Sequence, residues 1–280
     1  MPAICVVTDS ACDLTPEMAD DRAIRVVPLT IRFGDEELVD RQELSVKEFW
    51  DRVVTGPHMP ETAAPSPGAF QEAFLQAAEA GADGVVCVNL SSGLSATYQS
   101  ACTAAAAVAD RIPVRVVDSL SVTMGLGLMA LTAADLAAEG RDLDAIVAEL
   151  EDVRARTRVY GIVDSLDFLK RGGRIGGAQA LLGSLLSIKP VIYMHNGVVE
   201  VESKQRTRSR ALDYLAGKAL AAGRLDGLAM STGVAPDADE LATKLAAADC
   251  PSGLVVSDLG PVIGAHAGPG TVGVCFQIAR

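Results

Sequence analysis

Gly84-Val85-Val86-Cys87-Val88-Asn89-Leu90-Ser91-Ser92-Gly93-Leu94-Ser95-Ala96-Thr97-Tyr98 reads as a strand, a small hydroxyl-rich turn and the first turn of a helix. An unbroken apolar run, Val85 to Val88, suits a strand buried on both faces, as in a parallel sheet covered by helices. The same alternation surrounds it: further strands are expected at 4–8, 25–29 and 114–117, separated by Ala- and Leu-rich helical stretches. Helix starts carry their own chemistry. Thr15-Pro16-Glu17 and Ser66-Pro67 set a proline in the first turn behind a hydroxyl cap, and Ser45-Val46-Lys47-Glu48 has the form of a capping box. Three turns, Thr8-Asp9-Ser10, 89–95 and Asp118-Ser119-Leu120-Ser121, are expected at the carboxyl ends of strands, where open α/β sheets bind ligands.

From residue 157 the style changes. A strand is expected at 158–163, then a helix ending at Gly172-Gly173 and another running through Leu186. A hairpin turned at Asn196-Gly197 follows, since both central residues of its favoured turn need positive φ. A helix from Thr207, a strand near Leu228, a helix from Asp237 and strands around Val255 and Val274 complete a mixed sheet with helices. The fold class expected is therefore α/β in two domains, 1–156 with a mostly parallel sheet and 157–280 with a mixed one. A length of 280 residues accommodates both.

Composition narrows the function. With 36 acidic and 24 basic residues the net charge is −12, and no basic cluster offsets it, so a nucleic-acid partner is not expected. The start Met1-Pro2-Ala3-Ile4 lacks a basic leader, and no apolar stretch reaches the ~20 residues of a membrane span, which points to a cytoplasmic protein. The cysteines, from Cys5 to Cys275, lie far apart with no C-x-x-C pair, so neither a disulfide nor a zinc site is expected. Gly268-Pro269-Gly270-Thr271-Val272-Gly273 matches G-x-G-x-x-G, but only seven residues follow it, too few for the βαβ unit that a dinucleotide needs. No cofactor or metal is expected.

Two constellations remain. The turn 89–95 offers Ser91, Ser92, Gly93 and Ser95 at a helix start, where free N–H groups and the helix dipole favour an anion, and Ser119 belongs to a neighbouring turn. His58 and His195 read as ordinary surface residues. His266 lies in a run of small residues, 259–268, read as a loop that lets a ligand approach an imidazole donor. Ser95 and His266 together also permit a serine hydrolase, and His266 alone a phosphotransferase, although no G-x-S-x-G elbow is present.

Taken in order, Val7-Thr8-Asp9-Ser10, Thr62-Ala63-Ala64-Pro65-Ser66-Pro67-Gly68, Ser91 to Tyr98, Lys170-Arg171-Gly172-Gly173-Arg174-Ile175, Arg206-Thr207 and Gly260 to His266 resemble the DegV family of bacterial fatty-acid-binding proteins. The resemblance implies two α/β domains holding a long-chain fatty acid, such as palmitate, stearate or oleate, in a tunnel between them. It places the carboxylate on Thr62, Ser95 and His266. It implies that an ATP-dependent fatty-acid kinase subunit phosphorylates the bound acid for phospholipid synthesis, with Arg174 and Arg206 facing the phosphate or the kinase. Catalysis would then belong to the partner, and transient membrane contact fits such a carrier. Ala63 and Ala64 depart from the family's more polar pattern, and Met230-Ser231-Thr232 lacks a histidine common nearby. Both departures bear on the polar lining around the head group.

Overall fold

A computed structural model describes residues 3–181 and 188–280. Strand β1 (Ile4–Asp9) runs into a short 3-10 turn, and α1 (Pro16–Asp20) begins where Thr15 accepts a hydrogen bond from the Met18 N–H. β2 (Arg25–Val27) stops short of the expected residue 29 because Pro28 has no N–H to give the ladder. The chain then forms a sheet absent from the sequence reading: β3 (Thr30–Phe33), β4 (Glu36–Val39) and, beyond α2 (Val46–Thr55), β5 (Pro60–Ala63), antiparallel in the order β4-β3-β5. Each of these strands has four residues, too few for a period to show through their charged and proline neighbours.

Helix α3 (Pro67–Glu79), capped by Ser66, leads to β6 (Gly84–Asn89), α4 (Thr97–Ala107), β7 (Val114–Asp118), α5 (Thr123–Ala138) and α6 (Leu143–Arg156). β6 is buried at every position, as its apolar run requires, and the sheet β2-β1-β6-β7 is parallel throughout.

β8 (Thr157–Ile162) starts on the residue after α6. There follow α7 (Asp167–Arg171), a 3-10 stretch (Gly176–Leu181), β9 (Lys189–His195), β10 (Val198–Gln205), α8 (Arg208–Leu220), β11 (Leu225–Gly233), α9 (Ala238–Leu245), β12 (Leu254–Asp258), α10 (Pro261–Ala267) and β13 (Thr271–Ile278). Of the helix expected through Leu186, Gly176–Leu181 is this 3-10 stretch and the rest falls at residues outside those described. The six strands form one mixed sheet, β10-β9-β8-β13-β11-β12, in which only β11 and β12 run parallel. The β9–β10 hairpin turns at Asn196 and Gly197 with φ of 47° and 80°.

Helix α5 is the layer between the two main sheets, which explains why it is apolar nearly all round. Its glycines allow the close approach. A Cβ at Gly125 would stand 2.3 Å from Val159 of β8, and one at Gly127 2.5 Å from the Cys12 carbonyl. On the other face of the mixed sheet Tyr160, Ile162, Val272, Val274 and Phe276 pack beneath α8 and α9.

Beside α5 lies a buried charged group: Asp13, Asp40 and Arg41. Asp13 accepts hydrogen bonds from Arg41 Nη2 (3.2 Å) and from the Gly260 N–H (3.0 Å). One guanidinium serves two carboxylates. Burial pushes Asp40 up to about 6, with Ser10 and Arg41 pulling the other way. A carboxyl whose pKa is higher folded than unfolded stabilises the fold below its ordinary range of about 4, and that contribution is lost as pH rises through about 6. Asp40→Asn is therefore expected to raise stability at pH 8 and to flatten its pH dependence between pH 5 and 8, by on the order of 2 kcal/mol. Urea denaturation at both pH values checks this, and a lower midpoint for the variant at pH 8 would contradict it.

Candidate functional site

The two main sheets do not meet face to face. Between them, beside α5, lies a deep cavity that opens to solvent at its mouth. Its wall is built from β8, β9 and β13 on one side and from Leu29, Leu90, Leu94 and Val122 of the first half on the other, with Val262 and Ile263 of α10 between. The lining is overwhelmingly apolar, and among the described residues Arg174 is its only charged side chain.

Its polar groups come from distant parts of the chain. Thr62, on β5, and His266, on α10, are joined by a hydrogen bond of 2.8 Å between Oγ1 and Nε2, and Ser95 and Arg174 line the same cavity. His266 was expected in a loop, and the structure corrects this. Gly260 and Pro261 open a short helix and Gly268, at φ 79°, closes it, because Pro preorganises a first helical turn while glycine accepts the left-handed region after the last. The helix can sit this close to its neighbours only because it is small. A Cβ at Gly264 would stand 2.6 Å from Phe49 and 2.9 Å from Trp50.

Burial, and then the charge of Arg174, push His266 down to about 4, so the imidazole is neutral at neutral pH. Its Nδ1 is buried without a hydrogen-bond partner and packs against Gly172. With the ring proton on Nε2, the tautomer that the positive charge of Arg174 favours, the imidazole donates to Thr62 Oγ1 and leaves the threonine hydroxyl hydrogen to be donated onward. Ser95 Oγ accepts from the Thr97 N–H (3.3 Å) and lies 2.8 Å from Thr97 Oγ1. With Thr97 as donor in that pair, Ser95 also keeps a hydrogen to give. Arg174 is held by its own bonds, Nε to the Leu94 carbonyl (3.0 Å) and Nη1 to the Gly172 carbonyl.

The anion site expected from backbone N–H groups of the turn 89–95 does not exist in that form. Leu90 N donates to Asp9, Ser91 N to the Ser121 carbonyl, Ser92 N to Asp118, Gly93 N to Ser91 Oγ, and Leu94 N and Ser95 N to the Ser91 carbonyl. The three strand-end turns do gather, as expected, but they bind one another. Ser91 is buried and its hydroxyl donates to the Gly197 carbonyl (2.6 Å), Ser119 is buried on the Ser121 carbonyl, Ser92 is exposed, and Gly93 lies against the Gly197 backbone. None of these four lines the cavity. Arg206 is exposed and also stands outside it. Ser95 and His266 make no nucleophile–base pair: each bonds a threonine instead. Not found in the sequence reading were Thr123, whose hydroxyl meets that of Ser231 at 2.9 Å in the lining, and the lining role of the strand glycines Gly161 and Gly273. The glycines carried a signal, since each interrupts an otherwise β-branched or aromatic strand.

The fold and site thus define an α/β protein with an apolar cavity that ends on a neutral imidazole and two hydroxyls. Residues 3–279 match the family model described as "Uncharacterised protein, DegV family", and the chain belongs to the DegV family. A DegV domain-containing protein of Streptomyces coelicolor is 40% identical, over 97% of both chains. Among solved structures, a fatty-acid-binding DegV family protein from Thermus thermophilus superposes with a TM-score of 0.91 at 36% identity, covering 99% of this chain and 100% of that one. DegV of Bacillus subtilis, described as a fatty acid binding protein, does so with a TM-score of 0.89 at 32% identity, covering both chains completely. No helix among the described residues is long and apolar enough to cross a membrane.

Gly172 offers a direct check of the polar end. A Cβ there would stand 2.1 Å from His266 Nδ1, so Gly172→Ala must displace the ring. The variant is expected to break the bond to Thr62 and to bring the His266 titration from about 4 back toward the ordinary 6.5. Ring ¹H–¹⁵N spectra recorded against pH read both effects.

Proposed function

We propose that this protein binds a long-chain fatty acid, with its tail in the cavity and its carboxylate on Thr62, Ser95 and His266. The observation that carries this reading is the single apolar cavity wall ending at the Thr62–His266 pair, with no acidic side chain in the lining. Fatty-acid binding by the Thermus and Bacillus relatives supports it. Each buried methylene contributes about 0.8 kcal/mol, so a C16 tail supplies roughly 11 kcal/mol of gross transfer energy before the cost of association. A carboxylate in such a place needs donors, and two hydroxyls with an Nε2–H behind one of them supply charge-assisted hydrogen bonds. Mass spectrometry of an organic extract of the purified protein tests the reading. A stoichiometric C16–C18 acid is expected. A lipid-free protein that refuses added acid would overturn it.

The finer assignment has its own measurement. Thr62→Ala and Ser95→Ala each remove one hydrogen bond to a charged group, so each should weaken fatty-acid binding by one to two orders of magnitude, about 1.5–3 kcal/mol, in a protein that stays folded. The methyl ester should bind weakly to the unaltered protein. Equal affinity for ester and acid would remove the carboxylate from this site.

The protein is further proposed to be a cytoplasmic carrier that presents the acid to a separate ATP-dependent kinase subunit. There a carboxylate oxygen takes the γ-phosphoryl group of ATP, ADP leaves, and the acyl phosphate enters phospholipid synthesis. The division of the chain at 156/157, between α6 and β8, makes the ligand an interdomain one with a wall from each half. Arg174 stands in the cavity with its charge bearing on His266, which supports a role toward the carboxylate itself; Arg206 is exposed outside the cavity, and the proposal keeps it for contact with the kinase. Arg174→Ala is expected to lower fatty-acid affinity severalfold. Arg206→Ala should leave affinity unchanged and reduce acyl-phosphate formation when kinase and ATP are supplied. Bound lipid and product, measured separately on the same preparations, distinguish the two roles.

A further inference from the structure

Gly161 of β8 and Gly273 of β13 are direct partners across two neighbouring strands in the interior of the six-stranded sheet. Ile192 of β9 and Ser231 of β11 continue the same row on either side. All four line the cavity, while Ile162 and Val272, the next residues along each strand, lie in the core beneath α8 and α9. Two side chains are thus missing side by side from the cavity face of the sheet.

Nothing in the fold asks for glycine at Gly161. Neither it nor Gly273 has positive φ. A Cβ on Gly161 would meet only the Val272 carbonyl oxygen at 3.4 Å and Ile192 Cγ1 at 3.9 Å, which is ordinary contact, and one on Gly273 only the Tyr160 carbonyl oxygen at 3.2 Å. Gly125, Gly172 and Gly264 are different: there a Cβ would run into a side chain at 2.1–2.6 Å. Glycine inside a strand weakens the sheet, and where neither backbone angle nor packing accounts for it, close approach by a ligand does. Gly273 also lies two residues along β13 from Thr271, whose hydroxyl is bonded to the carbonyl of Ala267, the neighbour of His266. The bare patch therefore shares a strand and a face with a residue tied to the helix that carries His266.

We infer that Gly161 and Gly273 form the bed on which the acyl chain lies, and that their missing side chains set the longest chain the protein accepts. The inference rests on the fatty-acid reading above. A valine at Gly161 places three carbon atoms where the ligand's methylenes lie, and β-branching suits the strand itself. Gly161→Val should therefore act on long acids selectively while leaving the unliganded protein at least as stable.

The test uses the full chain stripped of lipid, with saturated acids from C10 to C18 as probes, in the unaltered protein, Gly161→Ala and Gly161→Val. The expected result for Gly161→Val is a loss of about tenfold or more in affinity for C16 and C18, against less than about threefold for C10, with the alanine variant between. The melting temperature of the unliganded variant should be unchanged or higher. An equal loss at every length, an unchanged length profile, or a lower melting temperature would each overturn the bed and return Gly161 to a role in the head group, in no function, or in the fold. These outcomes are separable from failure of the fatty-acid reading, in which the unaltered protein binds no acid of any length.

Discussion

Helix α10 belongs to the second half of the chain by sequence and to the first half by packing, and the site depends on that placement. Hydrogen bonds with the first half hold it and the residues just before it: Trp50 Nε1 to the Leu259 carbonyl (3.0 Å), the Gly260 N–H to Asp13, and the bond between His266 Nε2 and Thr62. Two glycines make the approach close enough. A Cβ at Gly260 would stand 2.6 Å from Asp13 Oδ1, as one at Gly264 would from Phe49. The clamp joins residues more than 200 positions apart, so the polar end of the cavity exists only when the two halves are assembled. A helix of seven residues has little stability of its own, and its position is a property of what it is packed against.

The electrostatics of the cavity follow from the same burial. An acidic protein of net charge −12 has little to offer an anion at long range. Within the cavity the balance is local: no carboxylate in the lining, one guanidinium, and an imidazole kept neutral by desolvation and by that guanidinium. A neutral imidazole with its proton on Nε2 is a donor without being a counter-ion. Hydroxyls backed by a neutral imidazole leave Arg174 as the one fixed charge in the lining described. The hydroxyl pair Thr123–Ser231, tied in turn to Ser257 at 3.1 Å, places further polar groups in the lining without a net charge.

How much of this was legible in the chain itself varies with the range of the interactions involved. Strand β6, the caps Thr15, Ser45, Ser66 and Thr207, and the Asn196-Gly197 turn were readable because each is decided by neighbours a few residues away. The sheet β4-β3-β5 was not, although it carries Thr62. Its strands are short, and Glu61 is exposed and ion-paired with Arg32 across the ladder, so no apolar period announces them. The turn 89–95 was misjudged for a similar reason. Its N–H groups looked free in sequence, but Asp9 and Asp118, from other strands, and Ser91 within the turn take them.

The sequence by itself determined the alternation of strand and helix and the change from a parallel to a mixed sheet near residue 157, and through its resemblance to a family it grouped Thr62, Ser95 and His266 as candidates. Those follow from backbone preferences and from the order of short motifs, which act locally and survive in a linear reading. Only the tertiary structure decided which of these groups face a common cavity, that Ser91, Ser92, Gly93 and Ser119 do not, and that His266 sits on a helix with one nitrogen on Thr62 and the other against Gly172. It also decided that Gly161 and Gly273 stand side by side, because strand register is set by pairing with distant segments and by which face of each strand is buried. Burial, hydrogen-bond partners and the pKa of an imidazole are sums over neighbours in space, and the chain names those neighbours only once it has folded.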